Sequence, residues 1–266
     1  MLESLDHENS WFITLTYDDE NLPEAVLIEK DGIKFWTEPL NKDDITKFLH
    51  DLRQKVAPDK IRFFICGEYG PKTMRPHYHG ILFGLNLKEG DKELDLVPTK
   101  HYNEIGQQIF ESRFLESIWK KGSVEIGTVT PQSCSYVARY CMKKVDGFDR
   151  SYYLDLGLEP EFLRMSKHPG IGHNQIMRDL EKGMNSSYKI DSGSKSITIK
   201  DNRYAKKLRR RYIPEIQEES DINAKFISYQ IKKNKTNLSD INYLNQLKIE
   251  ENNKKASIKS LERKEL

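Results

Sequence analysis

The sequence predicts an α+β domain, a central antiparallel sheet with flanking helices, followed by a C-terminal helical or disordered extension. Strand-like runs rich in β-branched and aromatic residues interleave with segments of helical period over roughly the first 185 residues. Such interleaving fits helices packed on an antiparallel sheet. Length agrees, because 266 residues suffice for one fair-sized domain with a buried core and an extension besides. The character then shifts, becoming Ser/Gly-rich, then basic, then rich in Lys, Asn and Glu. The expected division is a domain over residues 1–185 and an extension over residues 186–266.

Trp11 to Tyr17 is β-branched and aromatic and predicts the first strand, which Asp18, Asp19 and Asn21-Leu22-Pro23 end in a loop. From Asp43 to Val56, Ile45, Phe48, Leu49, Leu52 and Val56 recur at helical spacing until Pro58 stops them. Ile61 to Cys66 predicts a second strand, leading into Gly67-Glu68-Tyr69-Gly70 and a turn around Pro71. A third strand carries His77 and His79 into Ile81-Leu82-Phe83. Residues 86–104 read as a polar surface loop, Gln107 to Trp119 as a helix, and Ser123 to Val129 as a fourth, alternating strand. A second helix follows Pro131, with Ser133 as its N-cap. Ser186 to Ser194 reads as a linker. Arg203 to Tyr212 holds six basic residues and no acid, and from Asp221 onward the weak apolar period fits a marginal helix or disorder.

Composition bounds the function. Net charge is only +2 with 32% charged residues, so local patches decide what the surface attracts. Cys66, Cys134 and Cys141 form no CxxC pair, which argues for a reducing compartment and against a disulfide framework. Cys134 and Cys141, on the predicted tyrosine-bearing helix, read as packing residues. No apolar run reaches membrane-spanning length, and the first ten residues are too polar for a signal peptide. The expectation is a cytoplasmic protein without a membrane partner.

Two residue pairs carry chemistry. His77 and His79, separated by one residue on a strand, project from the same face and can converge on one divalent ion. Glu68, from the neighbouring strand, can join them in an antiparallel sheet. Two imidazoles and a carboxylate leave positions open for water and phosphate oxygens, which suits Mg²⁺ or Mn²⁺. Read in isolation, the same residues also fit two metal-free histidines and a solvated acid.

Tyr136 and Tyr140 lie four apart, so their Cβ atoms share a helix face at roughly 5–6 Å. Lys143 and Lys144 continue that stripe. A phenol needs a metal, a base or a cation to act as a nucleophile near neutral pH, and a lysine on the same stripe can supply the charge. Tyrosines that merely pack an amphipathic helix on the sheet are the alternative. Metal pair and tyrosine pair together point to phosphodiester chemistry. The basic residues Arg203, Lys206, Lys207, Arg209, Arg210 and Arg211 then become candidates for phosphate contact, with Arg139 beside the tyrosines. His168 and His173 flank a turn and are assigned no metal.

Four stretches in register give the chain a family resemblance: Phe12 to Pro23; Gly67 to Gly70 with Arg75 to Gly80; Tyr136 to Tyr140 with the lysines that follow; and Met165 to Gly172. Together they resemble the replication initiators of the microviruses, small single-stranded DNA phages, most closely the gokushovirus type within the HUH endonuclease superfamily. The resemblance spans roughly residues 1–185 and implies an HUH-like fold and rolling-circle initiation. It implies that His77, His79 and Glu68 hold the metal, that Tyr136 and Tyr140 alternate as nucleophiles, and that Lys143 or Lys144 assists them. It further implies origin DNA as substrate, a host replicative helicase as partner, and the host cytoplasm as the place of action. Relatives of this type begin with a longer, cysteine-containing segment before the first motif, whereas this chain starts almost at that motif. A non-catalytic origin-binding remnant is therefore one alternative, and an HUH-type plasmid replication protein or transposase another.

Overall fold

The computed structural model describes residues 1–30, 32–70, 73–103, 106–143, 153–182, 187–192, 195–200, 203–212, 225, 228, 248–249 and 251–253. After a 3-10 helix at Glu3–Asp6 come β1 (Ser10–Thr16), the ribbon β2 (Val26–Lys30) and β3 (Ile33–Thr37), and α1 (Lys42–Lys55). Next are β4 (Arg62–Tyr69), β5 (Pro76–Phe83), β6 (Val97–Tyr102), β7 (Gln108–Glu111), α2 (Arg113–Trp119) and β8 (Val124–Thr128). Then follow α3 (Pro131–Lys143), β9 (Phe162–Met165), α4 (His173–Glu181), the paired strands β10 (Ser187–Ser192) and β11 (Lys195–Lys200), and α5 (Arg203–Tyr212).

Seven strands form one sheet in the order β6-β7-β8-β1-β5-β4-β9, each neighbouring pair antiparallel. Helices cover both faces, giving the α+β class that the sequence predicts. Alternation along the central strands sorts residues between those faces. Ile13, Leu15, Ile65, Tyr78 and Leu82 join Ile45, Phe48, Leu49 and Leu52 of α1 and Leu115, Ile118 and Trp119 of α2 in the main core. Burying each large apolar side chain stabilises the fold by roughly 1.5–3 kcal/mol. On the opposite face Cys66, Ile81 and Phe83 meet Val137 of α3.

The start of α1 is fixed by polar groups. The Asn41 side chain accepts from the Asp43 N–H at 2.9 Å, and Asp43 and Asp44 complement the helix dipole. The buried Tyr78 hydroxyl donates to the Asn41 carbonyl at 2.8 Å and accepts from the Asn41 N–H at 3.0 Å. Tyr17 donates to Asp44 at 2.7 Å, and its oxygen lies 2.7 Å from that of Tyr78. Burial, reinforced by Tyr78 and Asp44, pushes the Tyr17 phenol far above its ordinary range, and burial pushes Tyr78 up to about 12.

Several segments depart from the sequence expectation. Strands β2 and β3 pair as a ribbon where no element was foreseen, and the expected surface loop over residues 86–104 contains edge strand β6. The expected helix from Gln107 to Trp119 divides. Its first part is β7, and α2 begins only after Ser112, which accepts from the Leu115 N–H while Asp95 accepts from the Arg113 and Phe114 N–H groups. Ser133 is not the N-cap of α3. Thr130 takes that place, exchanging hydrogen bonds with Ser133 in a reciprocal cap, and Pro131 occupies the first helical position. Part of the expected linker Ser186 to Ser194 forms β10, and β9 adds an edge that was not foreseen.

The chain divides into two compact units, Met1–Met177 with Asp191–Lys195, and Arg178–Ile190 with Ser196–Leu266. The marginal helix or disorder expected from Asp221 onward falls almost wholly outside the described residues.

Candidate active site

β5 turns His77 and His79 toward the α3 face because Tyr78 between them enters the main core. The antiparallel register sets Glu68 of β4 opposite His77, and Thr14 of β1 opposite His79. β4 runs past Cys66 to Tyr69, so Glu68 lies inside the strand and points to the same side as the imidazoles.

The result is a tight cluster. Glu68 Oε1 stands 2.7 Å from His77 Nε2 and 3.0 Å from His79 Nε2. One ligand atom from each residue can be chosen so that all lie within 4.8 Å of one another. Glu68 is 5% exposed and His79 9%. Burial pushes the Glu68 carboxyl up, but hydrogen bonds to His77 and His79 outweigh it and hold the carboxyl down at about 2. Two nitrogens and one ionised oxygen form a donor set that fits a divalent cation with open positions.

Surrounding groups fix the rings. His77 Nδ1 lies 3.0 Å from the Arg75 carbonyl, which only accepts, so Nδ1 carries hydrogen and Nε2 is the ligand atom. That carbonyl also accepts from the Gly70 N–H at 3.0 Å, while the Arg75 guanidinium holds the Tyr17 carbonyl and Asp19. His79 Nδ1 lies 3.0 Å from Thr14 Oγ1, and Phe12 stacks on the His79 ring with centroids 5.9 Å apart. Gly80 and Gly67 let the strands close up. A Cβ at Gly80 would stand 2.7 Å from Ile65 Cγ1, and one at Gly67 would stand 2.9 Å from the Phe162 ring.

α3 brings one tyrosine to the cluster. The Tyr136 hydroxyl donates to Glu68 Oε1 at 2.9 Å and lies 3.5 Å from His79 Nε2, its ring edge-on to Phe12 and His79. Tyr140 and Arg139 follow on the same helix, as does Lys143, but their side chains are outside the described atoms, and Lys144 is outside the described residues. On α5, Arg203, Lys206, Lys207 and Arg211 are exposed, whereas Arg209 is buried; the side chain of Arg210 is outside the described atoms. Among the described residues, neither His168 nor His173 joins a metal-ligand cluster. The stretch around Pro169 to Gly172 packs instead against the chain start: Glu3 accepts from Arg62 and the Gly172 N–H, and Arg62 donates to the Pro169 carbonyl.

Sequence reasoning assigned no role to Phe12, Thr14 or Arg75. The signal for the first two was present, since Phe12, Thr14 and Thr16 alternate with the core residues Ile13, Leu15 and Tyr17. Arg75 acts through its backbone, which side-chain patterns do not reveal.

Residues 10–145 match the family model of the ORF2-type replication-associated proteins. The chain belongs to that family. The matched stretch includes the carboxylate, both histidines and both tyrosines, in agreement with the resemblance to microvirus replication initiators. Over 188 residues the family member is 36% identical to the replication-associated protein ORF2 of Spiroplasma virus 4, covering 70% of this chain and 51% of that one. It is 39% identical over 147 residues to the replication-associated protein VP4 of Bdellovibrio phage phiMH2K, covering 54% and 41% of the two chains. It is also 32% identical over 146 residues to the replication-associated protein ORF4 of Chlamydia phage 1, covering 54% and 33%. The chain thus spans about half the length, or less, of the curated relatives it matches. No solved structure matches the chain. Among the described residues no helix is long and apolar enough to cross a membrane.

Proposed function

We propose that this protein initiates rolling-circle replication of a small single-stranded DNA phage by nicking and rejoining origin DNA. The observation that carries the reading is the Tyr136 hydroxyl bonded to the Glu68 oxygen that both histidines face. A nucleophile type and a metal-ligand set meet at one point.

Glu68, His77 and His79 would hold Mg²⁺ or Mn²⁺, which supplies charge neutralisation at a bound phosphate. Tyr136 Oη, its hydrogen aimed at Glu68, attacks the phosphorus of single-stranded or locally melted DNA. The P–O3′ bond breaks, leaving a 3′-hydroxyl primer and a 5′-phosphotyrosine. Attack by a 3′-hydroxyl on that link reverses the step, so rejoining needs no nucleotide cofactor. Tyr140 serves as second nucleophile, and Lys143 or Lys144 favours the phenolate. Residues 1–185 act as the nicking and joining domain. Arg139 and the basic residues of α5 contact phosphates, with residues 186–266 as the DNA-binding extension. The protein works in the host cytoplasm alongside the host replicative helicase.

A covalent-adduct assay tests this. Purified protein, Mg²⁺ or Mn²⁺ and 3′-labelled single-stranded phage origin DNA are resolved on a denaturing gel. The label is expected to shift with protein, to stay unshifted with EDTA, and to stay unshifted in a Tyr136→Phe/Tyr140→Phe double variant. An adduct that survives both EDTA and the double change overturns the proposal.

A further inference from the structure

We infer that Thr14 is a positioning residue of the metal centre, setting which nitrogen of His79 faces the ion. The inference rests on the metal reading of Glu68, His77 and His79 and assigns a function to a residue outside that set. An imidazole ligates only through a nitrogen that carries no hydrogen, so the other nitrogen needs a fixed partner. His77 has one in the Arg75 carbonyl, 3.0 Å from Nδ1. His79 reaches no such carbonyl through Nδ1. Its Nδ1 meets the Thr14 hydroxyl at the same distance, 3.0 Å.

Two residues of β1 divide the task. Phe12 lies nearly parallel to the His79 ring, at an interplanar angle of 17°, and fixes its plane. Stacking does not distinguish the ring from one rotated by half a turn about its Cβ–Cγ bond. Thr14 does, because it sits directly across the strand pair from His79 and offers its oxygen to Nδ1. Nε2 is thereby left toward Glu68 Oε1, 3.0 Å away. When Nδ1–H donates to Thr14, Nε2 keeps its lone pair for a cation.

The experiment measures Mn²⁺ affinity directly, by calorimetry and by the electron paramagnetic resonance of free Mn²⁺, on chelator-treated full-length protein. Thr14→Val keeps the shape and removes the hydroxyl, and it is expected to weaken Mn²⁺ binding by about 10- to 100-fold. Thr14→Ser restores the hydroxyl and is expected to bind within about threefold of wild type, on the same grounds. The thermal midpoint of the metal-free protein checks that both variants fold. Wild-type affinity in Thr14→Val overturns the inference, and so does an equal loss in Thr14→Ser, which would assign the effect to packing. Failure of the wild-type protein to bind Mn²⁺ overturns the metal reading itself, a result separate from either variant outcome.

Discussion

Tyr136 donates its hydroxyl hydrogen to Glu68 Oε1 across 2.9 Å, tying the candidate nucleophile on α3 to the carboxylate on β4. The bond is one of three to that oxygen, since His77 and His79 also face it. Tyr136→Phe should therefore cost about 1 kcal/mol or less in urea unfolding, because Glu68 keeps both imidazoles. Adduct formation should fall but persist through Tyr140, and the mirror variant Tyr140→Phe should also retain some. Full adduct yield with both tyrosines changed would remove the tyrosine mechanism.

His77→Ala takes away a nitrogen of the cluster without touching α5. Metal-dependent cleavage should drop by about a hundredfold or more, since the ion's charge is worth several kcal/mol at a reacting phosphate. Duplex binding in a gel-shift assay should change little, because backbone contacts come mainly from basic side chains. A thermal melt verifies the fold, and undiminished cleavage in folded protein counts against the cluster as a metal centre.

Gly80 owes its identity to Ile65 across the strand pair. Gly80→Ala would force a methyl to 2.7 Å from Ile65 Cγ1 and should destabilise the fold by about 1–3 kcal/mol. Combining it with Ile65→Val, which removes a methyl from the same contact, should recover part of the loss. Strict additivity of the two changes in urea titrations would show that they do not share one space.

Alkaline conditions should loosen the joint between α1 and the sheet. The Tyr17 phenol is pushed well above the ordinary value near 10, and Tyr78 to about 12, so both hold their protons more tightly when folded. Their stabilisation is complete below pH 10 and is lost as pH rises toward about 12. The slope per phenol should approach 1.4 kcal/mol per pH unit, at about that size. Urea unfolding at about pH 9 and about pH 11 measures it, and Tyr17→Phe should flatten the dependence while costing about 1–2 kcal/mol at neutral pH.

Elements that bury one face were legible in the sequence. Trp11 to Tyr17 alternates, and α1 repeats Ile45, Phe48, Leu49 and Leu52, because each lies against the main core. The histidines, Glu68 and Tyr136 were legible as residue types, and the antiparallel register brings those named atoms together. Edge strand β6 was hidden because most of its residues face solvent, so no alternation marks it. β7 was read as helix because Ile109 and Phe110 run on into the apolar positions of α2, and the cap at Ser112 that separates them depends on the distant Asp95. For β2 and β3 a signal existed, Asp31-Gly32 between two β-branched and aromatic runs, and it went unread.

The two ligand-bearing strands, β4 and β5, are both flanked on each side by hydrogen-bonded neighbours, while the borders of the sheet are β6 and β9. Ordinary breathing begins at borders. Amides of residues 66–68 and 77–79 should then exchange with solvent deuterium only when the whole domain opens, whereas those of β6 exchange early. The cluster has no half-assembled condition of its own, and its lifetime is that of the folded domain.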